Sequence, residues 1–174
     1  LKIASPKSSC SDPAIRLLVQ TTQEIDLASA ITEERYHNLF MSAENIQGAL
    51  LEEYINLKCS PLGWIWCAGN TIRAVDFCYK DGSVFLQVKN KSNTENSSSS
   101  NIRSGTSIQK WYRLKSSRQN GQIKPVFCWD KLNQIIATTS NVPLDDKSWQ
   151  LSEEEYEQFL KRVATSNKNI LSDC

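Results

Sequence analysis

The chain has 174 residues, 40% of them hydrophobic and 22% charged, with a formal net charge of +1. That is the balance of an ordinary globular protein, and the length is enough to bury a core without covalent staples. No apolar run approaches the roughly 18 residues of a membrane span, and residues 1–6 do not read as a secretory leader, so a cytoplasmic protein with one domain over residues 1–174 is expected.

Residues 1–13 are rich in Ser, Pro and Lys and read as a mobile terminus. A short helix follows from residue 12 or 13 to about 20. The helical pattern over residues 25–57 divides into two helices near Met41, Ser42 and Ala43. Residues 64–68, 72–79 and 84–89 read as three successive strands, separated by Pro and Gly turns. Residues 90–105 form a long polar loop, low in hydrophobicity and rich in Ser and Asn. In residues 106–115 the recurrence of Ile108, Trp111, Tyr112 and Lys115 predicts a helix with Lys110 and Arg113 outward. Strands are expected at 124–130 and 134–139. A last helix opens with the capping box from Ser152 to Glu155 and frays after Thr165.

Chemistry concentrates on the second and third strands. Asp81 and Gly82 are a strong two-residue hairpin signal, and with them at the centre Lys80 pairs with Ser83, which puts Asp76 opposite Gln87. Alternation then places Lys89 on the face of Gln87, while Val84, Leu86 and Val88 point the other way. A hard cation such as Mg2+ takes oxygen ligands, which Asp76, the Gln87 amide and the Val88 carbonyl would supply. Lys89 would orient the attacking water or stabilise charge on a phosphate. The plain alternative is a solvated hairpin face.

Asp76 followed by Gln87-Val88-Lys89 resembles the PD-(D/E)XK nuclease core of type II restriction endonucleases, with an acid on one strand and a carboxylate-x-lysine triplet on the next. Val75 stands where a proline is common, and Gln87 where a carboxylate is usual. The run over residues 89–106 is similar to the SinI-like group. The resemblance implies an α/β protein with a restriction-endonuclease-like core, a mixed central β-sheet flanked by α-helices. It also implies a Mg2+-dependent homodimer that cuts double-stranded DNA. Such nucleases carry a helical glutamate near the metal, and the stretch 48–55 is similar, with Glu52 the better match in spacing and Glu53 the alternative. The implied catalytic set is Asp76, Gln87, Lys89 and Glu52, with Asp76, Glu52, Gln87 and Val88 toward the metal.

Charge distribution agrees with an anionic partner. Residues 1–78 carry six basic and nine acidic residues (−3), residues 79–124 nine and two (+7), and residues 125–174 five and eight (−3). The basic third flanks the hairpin, where phosphate contacts give salt-dependent affinity. Candidate DNA-binding residues are Lys91, Asn93, Asn96, Ser98, Asn101 and Arg103 along the polar loop, which would read base edges or phosphates, with Lys110 and Arg113 beyond it. Two other readings stay open: a nuclease-like fold that only binds DNA, and an interaction domain whose basic face docks an acidic partner.

Cysteine and histidine usage narrows the chemistry. The six cysteines, at 10, 59, 67, 78, 128 and 174, include no CxxC pair; Cys67, Cys78 and Cys128 lie in apolar runs and read as reduced core residues. His37 is the only histidine, which disfavours paired-histidine metal sites and histidine-dependent nuclease designs.

Overall fold

Asp12 and Pro13 start the first helix, α1 (Pro13–Gln23). Proline is preset for a first helical turn, and the Asp12 carboxylate accepts the Ala14 N–H at 2.9 Å. The computed structural model describes residues 12–68, 72–91, 105, 107–119 and 121–171. Within it the chain divides into two compact units, Leu1–Leu50 with Lys161–Cys174, and Leu51–Leu160.

The first unit holds α1 and most of α2 (Leu27–Cys59). Asp26 accepts the Ser29 N–H at 2.7 Å at the head of α2, and Arg16 pairs with Glu34 at 2.7 Å to tie the two helices. The expected break at Met41-Ser42-Ala43 does not occur. None of the three is a Gly or Pro, Ser42 is buried, and one helix runs through. His37 is exposed on it. No residue of α1 is buried, and Ile15, Leu17, Leu18, Tyr36 and Phe40 are exposed in this unit. Among the described residues no helix is long and apolar enough to cross a membrane.

The second unit is built on a five-stranded mixed sheet in the order β1 (Trp64–Trp66), β2 (Phe77–Tyr79), β3 (Phe85–Lys91), β4 (Ile108–Gln119) and β5 (Gln122–Phe127). β3 and β4 run parallel and the other neighbours antiparallel. The end of α2, α3 (Trp129–Ser140) and the start of α4 (Glu153–Ser166) supply its helices.

Three elements differ from expectation in type or extent. Of the helix expected over 106–115, residues 108–115 are instead the first part of β4. The spacing of Ile108, Trp111, Tyr112 and Lys115 suits a helix, but a strand divides the four between its two faces, and Trp111 alone is buried, beside Val88 of β3. Residues 134–139, read as a strand from Ile135, Ile136, Thr138 and Thr139, lie in α3, where Leu132, Asn133, Ile136 and Ala137 form a buried helical stripe. The strand expected at 124–130 is β5, and it stops at Phe127 because Trp129 begins the helix.

Aromatic packing fills the core of this unit. The Tyr54 ring lies 5.8 Å from Trp129, 5.3 Å from Tyr156 and 5.8 Å from Phe159, and Trp129 is 5.1 Å from Trp111. Such edge and tilted pairs add about 0.5–1.5 kcal/mol each beyond the area they bury. Buried Asn133 acts as a backbone substitute, donating to the Leu151 carbonyl at 2.9 Å and accepting the Leu151 N–H at 3.0 Å. The capping box of α4 is half formed locally and half by tertiary contact. Ser152 Oγ accepts the Glu155 N–H at 3.2 Å, while the Ser152 N–H goes to the Tyr54 hydroxyl at 3.3 Å. Glu155 is thereby free to pair with Lys58 at 2.7 Å.

Cys59, Cys67, Cys78 and Cys128 are unbridged, in line with reduced packing thiols. Burial pushes the Cys59 thiol up to about 12 and is the main cause of the rise of Cys67 to about 11, where the Cys78 sulfur 3.7 Å away adds to it.

Gly63 closes the short 3-10 turn over Ser60–Leu62 at φ +93°, and a Cβ there would stand 3.0 Å from Lys80 Cδ. Gly63→Ala is expected to lower stability by about 1–2 kcal/mol, the usual left-handed penalty for a residue with a side chain, measured by urea unfolding.

Candidate active site

The hairpin from β2 to β3 keeps the expected register with a wider loop. Phe77 pairs with Leu86 and Cys78 with Phe85 as expected, while Asp76, just before β2, lies outside the ladder. The turn is closed by Gly82 N–H to Tyr79 O at 2.8 Å with Gly82 at φ +73°, and Tyr79 N–H reaches Val84 O at 2.9 Å. The loop thus spans four residues rather than two. Leu86 and Val88 are buried, Gln87 is half-buried and Lys89 exposed, as alternation requires.

Asp76 stands where β2 gives way to a bend. Its N–H donates to the Leu86 carbonyl at 2.9 Å, and its Oδ2 accepts the Val88 N–H at 2.6 Å. A strand residue projects its N–H and C=O to the same edge, so the Val88 carbonyl faces the edge occupied by Asp76. β2 pairs with β3 only at Phe85 and Leu86, and beyond them the Asp76 carboxylate takes the Val88 N–H in place of a strand neighbour.

Glu52 reaches the same neighbourhood from α2. Its Oε2 accepts the Trp66 indole N–H at 2.9 Å. Burial raises its carboxyl above the ordinary carboxylate value; the Trp66 hydrogen bond opposes the shift, the Asp76 charge adds to it, and the Lys89 charge opposes it. Asp76 is likewise raised by burial, against the Val88 N–H and the Lys89 charge. Glu52, Asp76 and Lys89 therefore act on one another electrostatically. Glu53, the other helical carboxylate, is half-buried.

Two carboxyls whose ionised forms are disfavoured by burial gain from a nearby cation. The candidate donors are all oxygen, two carboxylates with the Gln87 amide and the Val88 carbonyl, a set that would suit a hard divalent ion and not a soft one. Among the described residues no three Asp, Glu, Cys or His gather into a metal-holding group, so a third protein ligand would be a neutral oxygen.

The DNA-contact candidates divide. Lys110 lies beside Gln87 in the β3–β4 ladder, and Lys91 is exposed at the end of β3. Arg113 is not an outward DNA-facing cation. It donates to Asn90 Oδ1 at 2.9 Å, is ion-paired with Glu153, and lies 5.4 Å from the Phe127 ring and 5.3 Å from that of Tyr156. A strand in place of the expected helix turns it inward. Asn93, Asn96, Ser98, Asn101 and Arg103 lie outside the described residues. Trp66 was not singled out by sequence reasoning; the signal available was the alternation Trp64-Ile65-Trp66, since a half-buried indole N–H needs an acceptor.

A family model described as SinI restriction endonuclease matches residues 2–162. The chain is 37% identical over 161 residues to the type II restriction enzyme Eco47I of Escherichia coli, covering 90% of this chain and 63% of that protein. It is 36% identical over 164 residues to the type II restriction enzyme SinI of Salmonella infantis, covering 92% and 64%. The chain thus spans slightly under two thirds of the length of these relatives.

Proposed function

Since the chain belongs to the SinI restriction endonuclease family, we propose that it cuts double-stranded DNA at a specific sequence by Mg2+-dependent hydrolysis of phosphodiester bonds. The observation that carries this reading is that Glu52, held by the Trp66 indole, and Asp76, held by the Val88 N–H next to Lys89, meet at one place in the fold, since Trp66 pairs with Phe77 beside Asp76. Glu52, Asp76, the Gln87 amide and the Val88 carbonyl would hold the ion, which when bound supplies Lewis-acid stabilisation of the scissile phosphate.

The remaining work belongs to the side chains. Lys89 donates to the attacking water and to a non-bridging phosphate oxygen, orienting the one and stabilising charge on the other. The water oxygen forms the new P–O bond and gives up one proton to solvent, while the P–O bond to the bridging oxygen breaks and that oxygen departs with its electron pair and takes up a proton from solvent. Asp76 and Glu52, as carboxylates, keep the site receptive to cations. Lys91 and Lys110, together with the polar run from Asn93 through Asn96, Ser98 and Asn101 to Arg103, serve the DNA backbone and base edges. Cutting both strands of a symmetric duplex site calls for two such centres, which a two-fold homodimer supplies.

The purified protein is expected to convert plasmid DNA into discrete, reproducible fragments with Mg2+, and to leave it intact after chelation by EDTA. Intact DNA under every divalent metal tried, with retention of DNA on filters, would favour the second reading, a nuclease-like fold that only binds. Gln87 in place of a carboxylate is the observation behind that alternative.

A further inference from the structure

Beside the open stretch of β4 lies a cavity of about 440 Å³ whose lining includes Lys110, Lys115 and Lys131 and no carboxylate. The ladder with β5 begins only at Leu114, so Gln109–Tyr112 present one strand edge and residues from both faces to this space. On the far wall, Lys131, Gln134 and Thr138 of α3 fall three and four residues apart, an exposed polar stripe opposite the helix's buried one.

Three cations elsewhere are held by carboxylates, Arg16 by Glu34, Lys58 by Glu155 and Arg113 by Glu153. The three cavity lysines have no ion pair among the described residues. Like charges gathered around one cavity repel, and a bound polyanion removes that repulsion. Neutral donors and acceptors such as Gln134, Thr138 and the Tyr112 hydroxyl suit phosphate and sugar oxygens.

We propose that this cavity is a phosphate subsite for the DNA backbone, with Lys110, Lys115 and Lys131 as its cations. The proposal rests on the reading of the protein as a DNA-cutting enzyme. Lys110 joins the two regions, since it lines the cavity and neighbours Gln87 across the ladder. Two strand spacings separate β2 from β4, about 10 Å, or roughly three base steps along one DNA strand. The subsite therefore holds the strand a few nucleotides from the bond to be cut.

The test is equilibrium binding of duplex DNA without divalent metal between 50 and 200 mM salt, for the wild type, Lys115→Ala, Lys131→Ala and the double variant. Each lost phosphate contact lowers the slope of log K against log salt by about 0.9, so the double variant should lose affinity about 12-fold less steeply over that range. Lys115→Arg, which keeps the charge, and Lys147→Ala, outside the cavity, should retain the wild-type slope. A double variant with the wild-type slope overturns the subsite while leaving the proposed function standing; a wild type that does not retain DNA removes both. Calorimetry with inorganic phosphate is the second arm. Saturable phosphate binding lost in the double variant, with the DNA slope unchanged, would assign the cavity to a free anion and overturn the proposal.

Discussion

Asp76→Asn is expected to slow DNA cleavage by about a thousand-fold or more while leaving salt-sensitive DNA binding in place, in the range seen when a positioned charged or acid-base group is lost. The substitution is chosen because the amide oxygen can still accept the Val88 N–H that Asp76 holds at 2.6 Å, so the hairpin end is kept and only the charge goes. Lys89→Ala should behave alike, because its cation acts on both site carboxyls. Single-turnover cleavage and filter binding separate the two effects, and undiminished cutting by either variant would remove these residues from the site. Stability should move the opposite way. Burial sets the Asp76 carboxyl above its ordinary value, so its contribution is full below the unfolded-state pKa and is lost as pH rises through the folded-state value. At neutral pH without metal the wild type carries that loss and Asp76→Asn does not, so the variant should melt at a higher temperature.

Arg113→Ala is expected to destabilise the protein by about 3–5 kcal/mol, the range for removing one partner of a buried ion pair. The Arg113 and Glu153 side chains are only 12% and 19% exposed. Without the guanidinium, the Glu153 carboxylate keeps just the Trp129 indole N–H at 2.7 Å, and the rings of Phe127 and Tyr156 lose the plane they face. Replacing both residues by apolar ones, as in Arg113→Met with Glu153→Leu, should recover most of the loss, because no unpaired charge is left. Chemical denaturation of the two singles and the double gives the coupling directly. A loss below 1 kcal/mol for Arg113→Ala, with DNA affinity strongly reduced, would restore Arg113 to the DNA-facing role its sequence position suggested.

The difference between these two arginine readings shows what was legible in the chain. Local pattern carried the hairpin, because an Asp-Gly turn between runs of β-branched and aromatic residues constrains the register even though the loop proved two residues longer. Pattern also carried α1 and α4, whose caps are written in Asp12, Pro13 and Ser152. It failed in the expected helix over 106–115, where the spacing of Ile108, Trp111, Tyr112 and Lys115 is helical and pairing of residues 108–114 with β3 overrides it. It failed at 134–139 for the converse reason: two Ile and two Thr favour a strand in isolation, while burial of Leu132, Asn133 and Ile136 along one stripe decides for a helix. At the site, Asp76 and Lys89 were visible as a spacing. Glu52 and Glu53 were not separable by spacing, and the structure distinguishes them by the Trp66 indole N–H, which Glu52 accepts.

The hydrogen bond from Val88 to Asp76 also bears on the stiffness of the site. Val88 is the covalent neighbour of Lys89, so the acid is clamped to the peptide beside the lysine on the same strand. One group precedes β2 and the other lies on β3, yet their separation is governed by one short hydrogen bond and one backbone link rather than by a hinge. Thermal motion of the Lys80–Ser83 loop would therefore reach the acid and the lysine together, as displacement of a unit, and leave the spacing between the strand positions that bear them unchanged.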